Sequence, residues 1–595
     1  MTLLNGASLL DTLAKKVSEA KTLNKTSIDE FNMHKRYYHG DQLPWDILAT
    51  LRRRQQPKYW ENIYKETANK ITGFQIATRK EVTAVGRQNE DKTTALLLTD
   101  IFRTIANKES FLTQKISTNK DLLFGLGAYE VGVIDTGERD VLGKKVLEGF
   151  IEHVPGGMLL IDPYSIQLDA SDAKDIHRVL FVDREDIELY FPEKAASLTY
   201  KKYGTRERAI VYNSWYLVVE EGKKVWKRTL WSDRVELITT PNPFIHKSHP
   251  FAIRKLFIDN SEKKNDYYGL YRDIQPLQDA LNFATLRMQN MLGSTKLLME
   301  KDAVEDMDVF QEDYAKDDGV AEVNPGALST NKVKEIKHNA DLAQLGNMTA
   351  GYKKSAPKLI GATDELFGAA VNRMSGYAIE QRQNVGMVGL QEYMNACDTL
   401  ETQAFTKLSY IIQQYYTAEQ MLRISERKDV ERYFTINEYQ RGEYGEVLYG
   451  QDGQPLINNK IKVGRYDIIM RTIPVTQGSR SERYKQNTEL IKTVASADST
   501  LVEPMLPILL ADAESPMVDD VIQLLQERKA QPNQAQDQAM QMQIQEQQLM
   551  LEKLQAEIGL IKAKSIKAVA EGQEEAGRVK NVDGPSQETT TVMDQ

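Results

Sequence analysis

Carboxylate side chains cluster between Asp162 and Asp175, where Asp169 and Asp172 also fall. Oxygen ligands of this kind can hold a divalent metal, so the cluster would suit a metal-dependent hydrolase or nuclease. The pairs Asp162-Pro163 and Ser171-Asp172 are, however, typical of turns and caps, because aspartate side chains accept hydrogen bonds from nearby backbone amides. We therefore expect structural roles for these carboxylates and keep a nuclease as an alternative.

His246 and His249 are three residues apart and could contribute to a metal site. The single cysteine, Cys397, lies far away in sequence, and no second cluster of ligands accompanies the histidines. We predict a surface turn at this position, with no metal and no cofactor.

Basic side chains occur at helical spacing at Lys353, Lys354 and Lys358, and Arg373 follows in a loop. These groups either form a solvated surface or contact phosphates once several subunits surround a nucleic-acid strand.

The run from Glu300 to Asp318 holds nine acidic and two basic residues. It is either a solvated face or a docking surface for a basic partner. Its docking candidates are Glu312, Asp313, Asp317 and Asp318.

Sequence motifs of catalysis are missing. The chain has no P-loop, no HExxH and no GxSxG pattern. Gly125-Leu126-Gly127 precedes a predicted strand rather than a helix, so it indicates a turn and not a dinucleotide site. We predict no catalytic residues and no enzymatic activity.

Composition sets further bounds on the 595 residues. Hydrophobic residues make up 41%, enough for several cores, and the formal net charge of −9 argues against a generally basic nucleic-acid-binding surface. One cysteine cannot form an intrachain disulfide. No apolar stretch approaches the roughly 20 residues that cross a membrane, and no secretory signal is expected at the N-terminus.

A loop followed by a very long helix is the strongest structural signal. The loop is Gly368 to Gly376, and helical character continues from Tyr377 to about Ser425, with no proline between Pro357 and Pro455. Such a helix would be roughly 70 Å long. Its apolar stripe predicts contact with other segments or with copies of the chain. The stripe comprises Leu390, Tyr393, Met394, Cys397, Leu400, Ala404, Leu408, Ile411 and Tyr415.

Glycines at 386 and 389 lie within this predicted helix. Because glycine weakens a helix locally, Gly386 and Gly389 are the predicted kink sites.

The flanking segments predict an α+β protein that is mainly helical. Residues 127–256 are rich in strand signals, with runs at Ala209 to Val219 and Lys224 to Leu237 joined by a hairpin turn. Helices are predicted at 268–293, with Pro276 in the first turn or at a kink, and at 342–367.

Near the C-terminus, a Gln-rich linker precedes a heptad pattern typical of a coiled coil or a ring of helices. The polar residues from Glu571 onward predict disorder. The heptad positions are Met540, Ile544, Gln547, Leu551, Leu554, Ile558, Ile561, Ser565 and Ala568.

In this order, the parts resemble the portal (head-to-tail connector) proteins of tailed bacteriophages, and most closely the short-tailed phage type with a C-terminal helical barrel. The turn Tyr37 to Gln42 is similar to the family's aromatic-x-x-Gly-Asp-Gln segment. The segment Asp162 to Ile166 resembles a wing segment, and Ile274 to Asn282 resembles the Gln-Asp-x-x-Asn segment that opens the first stem helix. Ser375 to Ile379 and Val463 to Ile468 are similar to the Ser-Gly-x-Ala and Gly-Arg-Tyr-Asp segments.

The resemblance implies a wing, stem, clip and crown architecture. Residues 370–374 would form a tunnel loop lining the channel (Ala370, Val371, Asn372, Arg373 and Met374), and Lys353, Lys354 and Lys358 would be basic groups of the channel wall. The implied divisions are 1–59 (N-terminal helical segment), 60–265 (wing), 266–293 (first stem helix), 294–340 (clip), 341–367 (second stem helix), 368–376 (tunnel loop), 377–425 (long kinked helix), 426–475 (wing return strands), 476–530 (crown helices), 531–570 (C-terminal barrel helix) and 571–595 (disordered tail).

The resemblance also implies a function. Portals of this type are twelve-subunit rings at one capsid vertex of the virion, assembled in the host cytoplasm. The terminase pumps double-stranded DNA in through the ring, and the genome leaves the same way. Implied partners are the terminase large subunit, the major capsid and scaffolding proteins, and head-completion adaptors. The remaining alternative is another coiled-coil virion or scaffolding protein, which would lack an α+β domain at 127–256.

Overall fold

The structure is a computed structural model. It describes residues 6–54, 56–77, 80–88, 91–261, 266–292, 296–314, 320–336, 339–361, 388–427, 430–442, 445–450, 452–461, 465–472 and 489. Among these residues about 44% lie in helices and about 28% in strands, so the predicted α+β class with more helix than strand is confirmed.

Helices predominate before residue 126 and occur again between and beside the sheets. The helices are α1 (Gly6–Leu23), α2 (Lys25–Tyr38), α3 (Trp45–Arg53), α4 (Ile63–Ala77), α5 (Lys92–Ala106), α6 (Glu109–Leu123), α7 (Arg184–Tyr190), α8 (Pro192–Ala195), α9 (Gln275–Leu292), α10 (Met307–Tyr314), α11 (Asn339–Leu359) and α12 (Gln391–Tyr415).

Strands fill the region between α6 and α9 and return after α12. They are β1 (Lys80–Gly86), β2 (Leu126–Arg139), β3 (Lys145–His153), β4 (Leu159–Ile161), β5 (Asp175–Asp183), β6 (Lys201–Tyr203), β7 (Arg206–Glu220), β8 (Lys223–Ser232), β9 (Val235–Pro241), β10 (Phe251–Lys255), β11 (Phe257–Asp259), β12 (Asp266–Tyr268), β13 (Lys296–Met299), β14 (Val333–Ile336), β15 (Gln420–Arg427), β16 (Val430–Ile436), β17 (Glu438–Tyr439), β18 (Ile457–Asn458) and β19 (Tyr466–Thr472).

The largest sheet is antiparallel with the order β4-β5-β7-β8-β9, and β6 pairs with β7. The predicted hairpin is confirmed: Glu220 pairs with Lys223 across Glu221-Gly222, which both have positive φ. The predicted run Lys224 to Leu237 is instead two strands, because Asp233 and Arg234 also take positive φ and turn the chain again. A smaller sheet has the order β10-β2-β3.

Helix α12 lies at the centre of the packing. Its stripe from Leu390 to Ile411 is buried as predicted, but the covering residues belong to the same chain. Phe405 contacts the rings of Phe102 (α5) and Phe111 (α6), and the ammonium of Lys115 pairs with Glu401 at 2.6 Å. Of the two predicted alternatives, other segments of the chain and not neighbouring copies therefore cover the described part of the stripe.

The C-terminal end of α12 also differs from the prediction. The helix ends at Tyr415, and β15 occupies residues that the sequence pattern assigned to the helix. At 25 residues α12 is about 37 Å long rather than roughly 70 Å. The Asn437 amide donates to the carbonyls of Tyr416 (2.9 Å) and Ala418 (3.2 Å), which satisfies groups that a longer helix would have used itself.

Helices α9 and α11 pack against each other and bracket residues 296–336. Helix α9 begins at Gln275 rather than near residue 268, because β12 and a 3-10 turn at Leu270–Arg272 come first. Pro276 thus lies in the first turn, as one of the two predicted alternatives required. Strands β13 and β14 pair antiparallel and bring the two ends of the bracketed segment together.

The chain divides into two units, residues 1–475 and 476–595. Of the second unit the structure describes Glu489 alone. The predicted crown helices, C-terminal barrel helix and disordered tail therefore lie outside the described residues.

Candidate channel and docking surfaces

Two glycines, one after the end of α11 and one before the start of α12, are in contact. Gly361 has φ +72°, and a Cβ built on Gly389 would lie 2.8 Å from the Gly361 Cα. No side chain fits between backbones this close, so both positions require glycine. The described residues on either side of 362–387 therefore meet at a single point.

Most of the predicted tunnel loop and kink lies in that interval. Ala370, Val371, Asn372, Arg373 and Met374 are outside the described residues, as is Gly386. The kink at Gly389 stays a prediction, because the residues before Val388 lie outside the described part of the chain. Gly389 sits in a 3-10 turn, Val388–Leu390, that directly precedes α12, and its physical role is the close contact with Gly361.

The three candidate lysines lie on α11 and are exposed. Lys353 pairs with Glu61 at 2.6 Å, and both side chains are about half exposed, which places the pair at the surface of α11. Lys354 and Lys358 pair with no carboxylate among the described residues. The structure thus leaves two of the three predicted charges available and partly neutralises the third.

Carboxylates in the described part of the acidic segment between α9 and α11 make contacts within that segment. Asp306 accepts hydrogen bonds from the amides of Asp308 (2.9 Å) and Val309 (3.3 Å) and so caps α10. Asp302 pairs with Lys332 at 2.7 Å, and that contact lowers the pKa of its carboxyl. Glu312 lies exposed on α10 and Asp313 half-buried beside it, whereas Asp317 and Asp318 lie outside the described residues.

Buried amides connect two of the segments on which the portal resemblance rests. The Asn282 amide on α9 donates to Gln42 Oε1 at 3.0 Å, and the Gln278 amide donates to Asn282 Oδ1 at 2.9 Å. Gln278 also donates to the carbonyl of Glu61 and accepts from the amide of Ile63. The network fixes the N-terminal turn and the start of α4 against α9, a link that the separate motifs did not reveal.

The aspartate cluster is structural, as predicted. Asp162 accepts from the amides of Tyr164 and Lys174 at 3.0 Å each, and Asp172 accepts from Ser165 Oγ at 2.7 Å. Sequence reasoning missed Lys255, which is buried and donates to the Ser165 carbonyl at 2.9 Å. Burial lowers the pKa of Lys255 to about 8, against the opposing effect of nearby Asp172.

The remaining aspartates of the cluster have the same kind of role. Asp169 accepts from the amide of Ser171 at 3.0 Å, and Asp175 pairs with Lys16. Over the described ranges, no three metal-binding side chains converge.

The prediction of a surface turn at the histidines is wrong for His249. Lys247 has positive φ and is exposed, but His249 is buried beside the rings of Trp226 and Phe251. Burial lowers the pKa of His249 well below its ordinary range. The flanking aromatic residues, which form part of a core, explain why the chain turns inward here.

The segment Arg465 to Ile468 lies at and within β19, which pairs along its length with β1. Arg87 donates to Asp467 from Nε (2.9 Å) and Nη2 (2.7 Å), at the end of this ribbon. After α12, the chain therefore returns through β19 to pair with β1, the first strand in the sequence. No helix among the described residues is long and apolar enough to cross a membrane.

The described geometry therefore combines a helix pair that brackets an acidic segment, a single point of exit for 362–387, and a mixed α+β body around α12. The family described as Phage P22-like portal protein matches the chain over residues 14–568. The chain belongs to this family of bacteriophage portal proteins, which are structural proteins of the virion.

A curated relative gives the same result. The chain is similar to the portal protein of Helicobacter pylori bacteriophage KHP30, with 32% identity over 548 residues, which is 91% of this chain and 86% of that protein. Membership in the portal family implies an oligomeric ring in the phage capsid. The α+β region at 127–256 also argues against the alternative of a protein built mainly from coiled coil.

Proposed function

We propose that the chain forms a ring-shaped DNA conduit at one capsid vertex, with the twelve subunits expected from the portal resemblance. Terminase packages the genome through it, and the genome is ejected through it after infection. The family match over residues 14–568 carries this proposal. The protein acts as a passage and a docking platform and catalyses no reaction.

The subunit contacts of the ring need apolar surface outside α12, because the stripe of α12 is already covered within the chain. Large exposed apolar side chains occur on α3, α9 and α11: Trp45 is 80% exposed, Phe283 63%, Leu292 73% and Leu359 56%. Exposed groups of this size are typical of protein interfaces. We assign the contacts between copies to these helices.

Residues 362–387 supply the tunnel loop. Their support is the contact between Gly361 and Gly389, which holds both ends of this segment at one place on the helical body. The loop residues Ala370 to Met374 then contact the passing DNA.

The channel must let DNA slide, so its charge has to be balanced. Tight binding of phosphates would oppose movement, and the net charge of −9 is consistent with a mixed or acidic lining. Lys354 and Lys358 provide a small basic ring that guides the DNA. The charge of Lys353 is partly neutralised by Glu61.

Residues 294–340 form the clip, which docks the terminase large subunit during packaging and a head-completion adaptor afterwards. The exposed carboxylates around α10 support this role because they suit a basic partner surface. The wing and crown contact the major capsid and scaffolding proteins during assembly in the host cytoplasm.

Removal of Ala370 to Met374 tests the conduit directly. Rings should still form, because the described core and the helices α9 and α11 remain intact, while DNA packaging or retention falls. Packaging assays and electron microscopy of the same preparation measure the two effects.

The matched control replaces Ala370 to Met374 with glycine and serine at unchanged length. It separates the length of the loop from the chemistry of its side chains. Loss of ring assembly in the deletion variant would make the loop a structural element and would contradict its role at the DNA.

A further inference from the structure

A strongly basic surface lies where α3 packs on α9. Leu51 and Leu286 belong to the buried cluster that joins the two helices. Residues 52–54, all arginine and all exposed, follow Leu51 directly, and the exposed Arg287 follows Leu286. The four side chains therefore lie around one contact between helices and are called the arginine surface below.

The arginine surface has no counter-charge within the described part of the chain. None of its four guanidiniums pairs with a carboxylate among the described residues. Positive charge suits the C-terminal end of α3 because it opposes the negative end of the helix dipole. That effect does not account for Arg287, which lies more than one turn before the end of α9. The four like charges repel one another, and an anionic partner would offset this repulsion.

Exposed apolar side chains border the arginine surface. Trp45 is 80% exposed and lies two turns before Arg52 on the same face of α3. Phe283 is 63% exposed and lies one turn before Arg287 on α9. Tryptophan and arginine are both enriched at the centres of protein interfaces. The proposed ring places these helices between copies, so we look for the anions in a neighbouring copy.

The beginning of α10 has the complementary composition. Glu305 and Asp308 are exposed and pair with no basic group among the described residues. Val309, next to Asp308, is 55% exposed, whereas Phe310 is buried and fixes the side of α10 that faces inward.

The two surfaces lie at the same end of α9. The arginine surface adjoins the C-terminal half of this helix, and the acidic segment with α10 follows the helix directly in the chain. Rotation about a ring axis keeps every surface at its level along that axis, so surfaces at one level can meet between adjacent copies.

We propose that the arginine surface of one copy binds Glu305 and Asp308 of the neighbouring copy, while the exposed apolar side chains beside both surfaces pack together. The contact rests on the ring of the proposed function and defines which side of each copy meets the next. It is heterologous, because two different surfaces pair and every copy carries both. The docking candidates Glu312 and Asp313 remain outside this contact.

Charge reversal in the full chain tests the contact. One variant combines Arg53→Glu with Arg287→Glu, a second combines Glu305→Lys with Asp308→Lys, and a third carries all four changes. Sedimentation over a range of protein concentrations measures ring assembly. Each of the first two variants should need at least about tenfold more protein to form rings, because like charges then face each other. The third should regain assembly, since the charges attract again with their signs exchanged, and a misfolded chain would not recover in this way.

The matched control combines Lys223→Glu with Lys224→Glu, two exposed lysines beside a hairpin turn of the large sheet. It changes the net charge as much as the arginine variant does, and it should assemble like the wild type. Binding of a short labelled DNA duplex to the same proteins tests a nucleic acid as the partner instead.

Three results would overturn the contact. If the arginine variant assembles like the wild type, the surface does not join copies, and a simultaneous loss of duplex binding would assign it to a nucleic acid. If the variant with all four changes fails to regain assembly, the arginines and these carboxylates do not meet. A wild-type chain that stays monomeric would overturn the conduit together with the contact, whereas normal rings of the arginine variant overturn the contact alone.

Discussion

At the scale of single residues, buried polar side chains set the positions of segments that are far apart in sequence. Gln42, Gln278 and Asn282 join the N-terminal turn to α9, and Lys255 holds the loop around Ser165. Each group is buried with its hydrogen bonds made, which is the condition under which a buried polar group is tolerated. These four buried residues therefore serve the architecture of the subunit.

The contact between Gly361 and Gly389 gives the sharpest residue-scale prediction. Gly389→Ala would place a Cβ 2.8 Å from a backbone atom that cannot rotate away, so we expect a loss of about 1–3 kcal/mol in the free energy of unfolding. Urea unfolding of the full chain measures it.

Gly346→Ala is the matched control for that change. Gly346 lies in α11 with open space at its Cβ position, so alanine should stabilise the helix by up to about 1 kcal/mol. Equal stability of Gly389→Ala and the wild type would show that the two backbones are not in contact.

At the scale of elements, the ends of α12 are fixed by residues outside the helix. Its N-terminal turn is held by Gly361, and the carbonyls beyond its C-terminal end are capped by Asn437, which itself has positive φ. The strands β15 to β19 then return the chain to β1. Residues outside α12 thus determine where the helix begins and ends.

Asn437→Gly tests the C-terminal end of α12. Glycine accepts the positive φ but removes the amide that serves the carbonyls of Tyr416 and Ala418, so stability should fall by about 1–3 kcal/mol. Asn331→Gly is the control, because Asn331 is exposed and has a similar φ of 52°. It should stay within about 0.5 kcal/mol of the wild type in the same urea measurement. Equal losses in both variants would contradict the capping role.

The same elements show which features were predictable from sequence. The hairpin at Glu221-Gly222 was predicted correctly because neighbouring residues alone determine it. The end of α12 was not predicted correctly, because it depends on Asn437, which lies well beyond the helix in sequence. The role of Gly389 was missed because its contact with Gly361 exists only in the folded chain. The spacing of apolar residues in α12 correctly predicted which residues are buried. It does not indicate whether the residues that cover them belong to the same chain or to another copy.

At the scale of the whole molecule, acidic residues of the clip should control docking of the terminase large subunit. Asp317→Lys combined with Asp318→Lys should weaken binding of assembled rings to terminase, and the difference should shrink as salt rises. The control is a variant in which the charges of Glu185 and Asp186, two neighbouring exposed residues of α7, are reversed in the same way. Binding that is unchanged in the clip variant would leave the acidic run as a solvated surface.

We propose that copies of this chain close into a ring around a passage for DNA. The structure of one subunit does not require a ring, because the apolar stripe of α12 is covered within the chain. Ring formation is inferred from family membership and from the exposed apolar side chains of α3, α9 and α11. Electron microscopy of the purified full chain is the most direct measurement. We predict closed rings with a central hole at least as wide as duplex DNA. Particles that remain solitary under all conditions, or that grow into open filaments, would contradict the account.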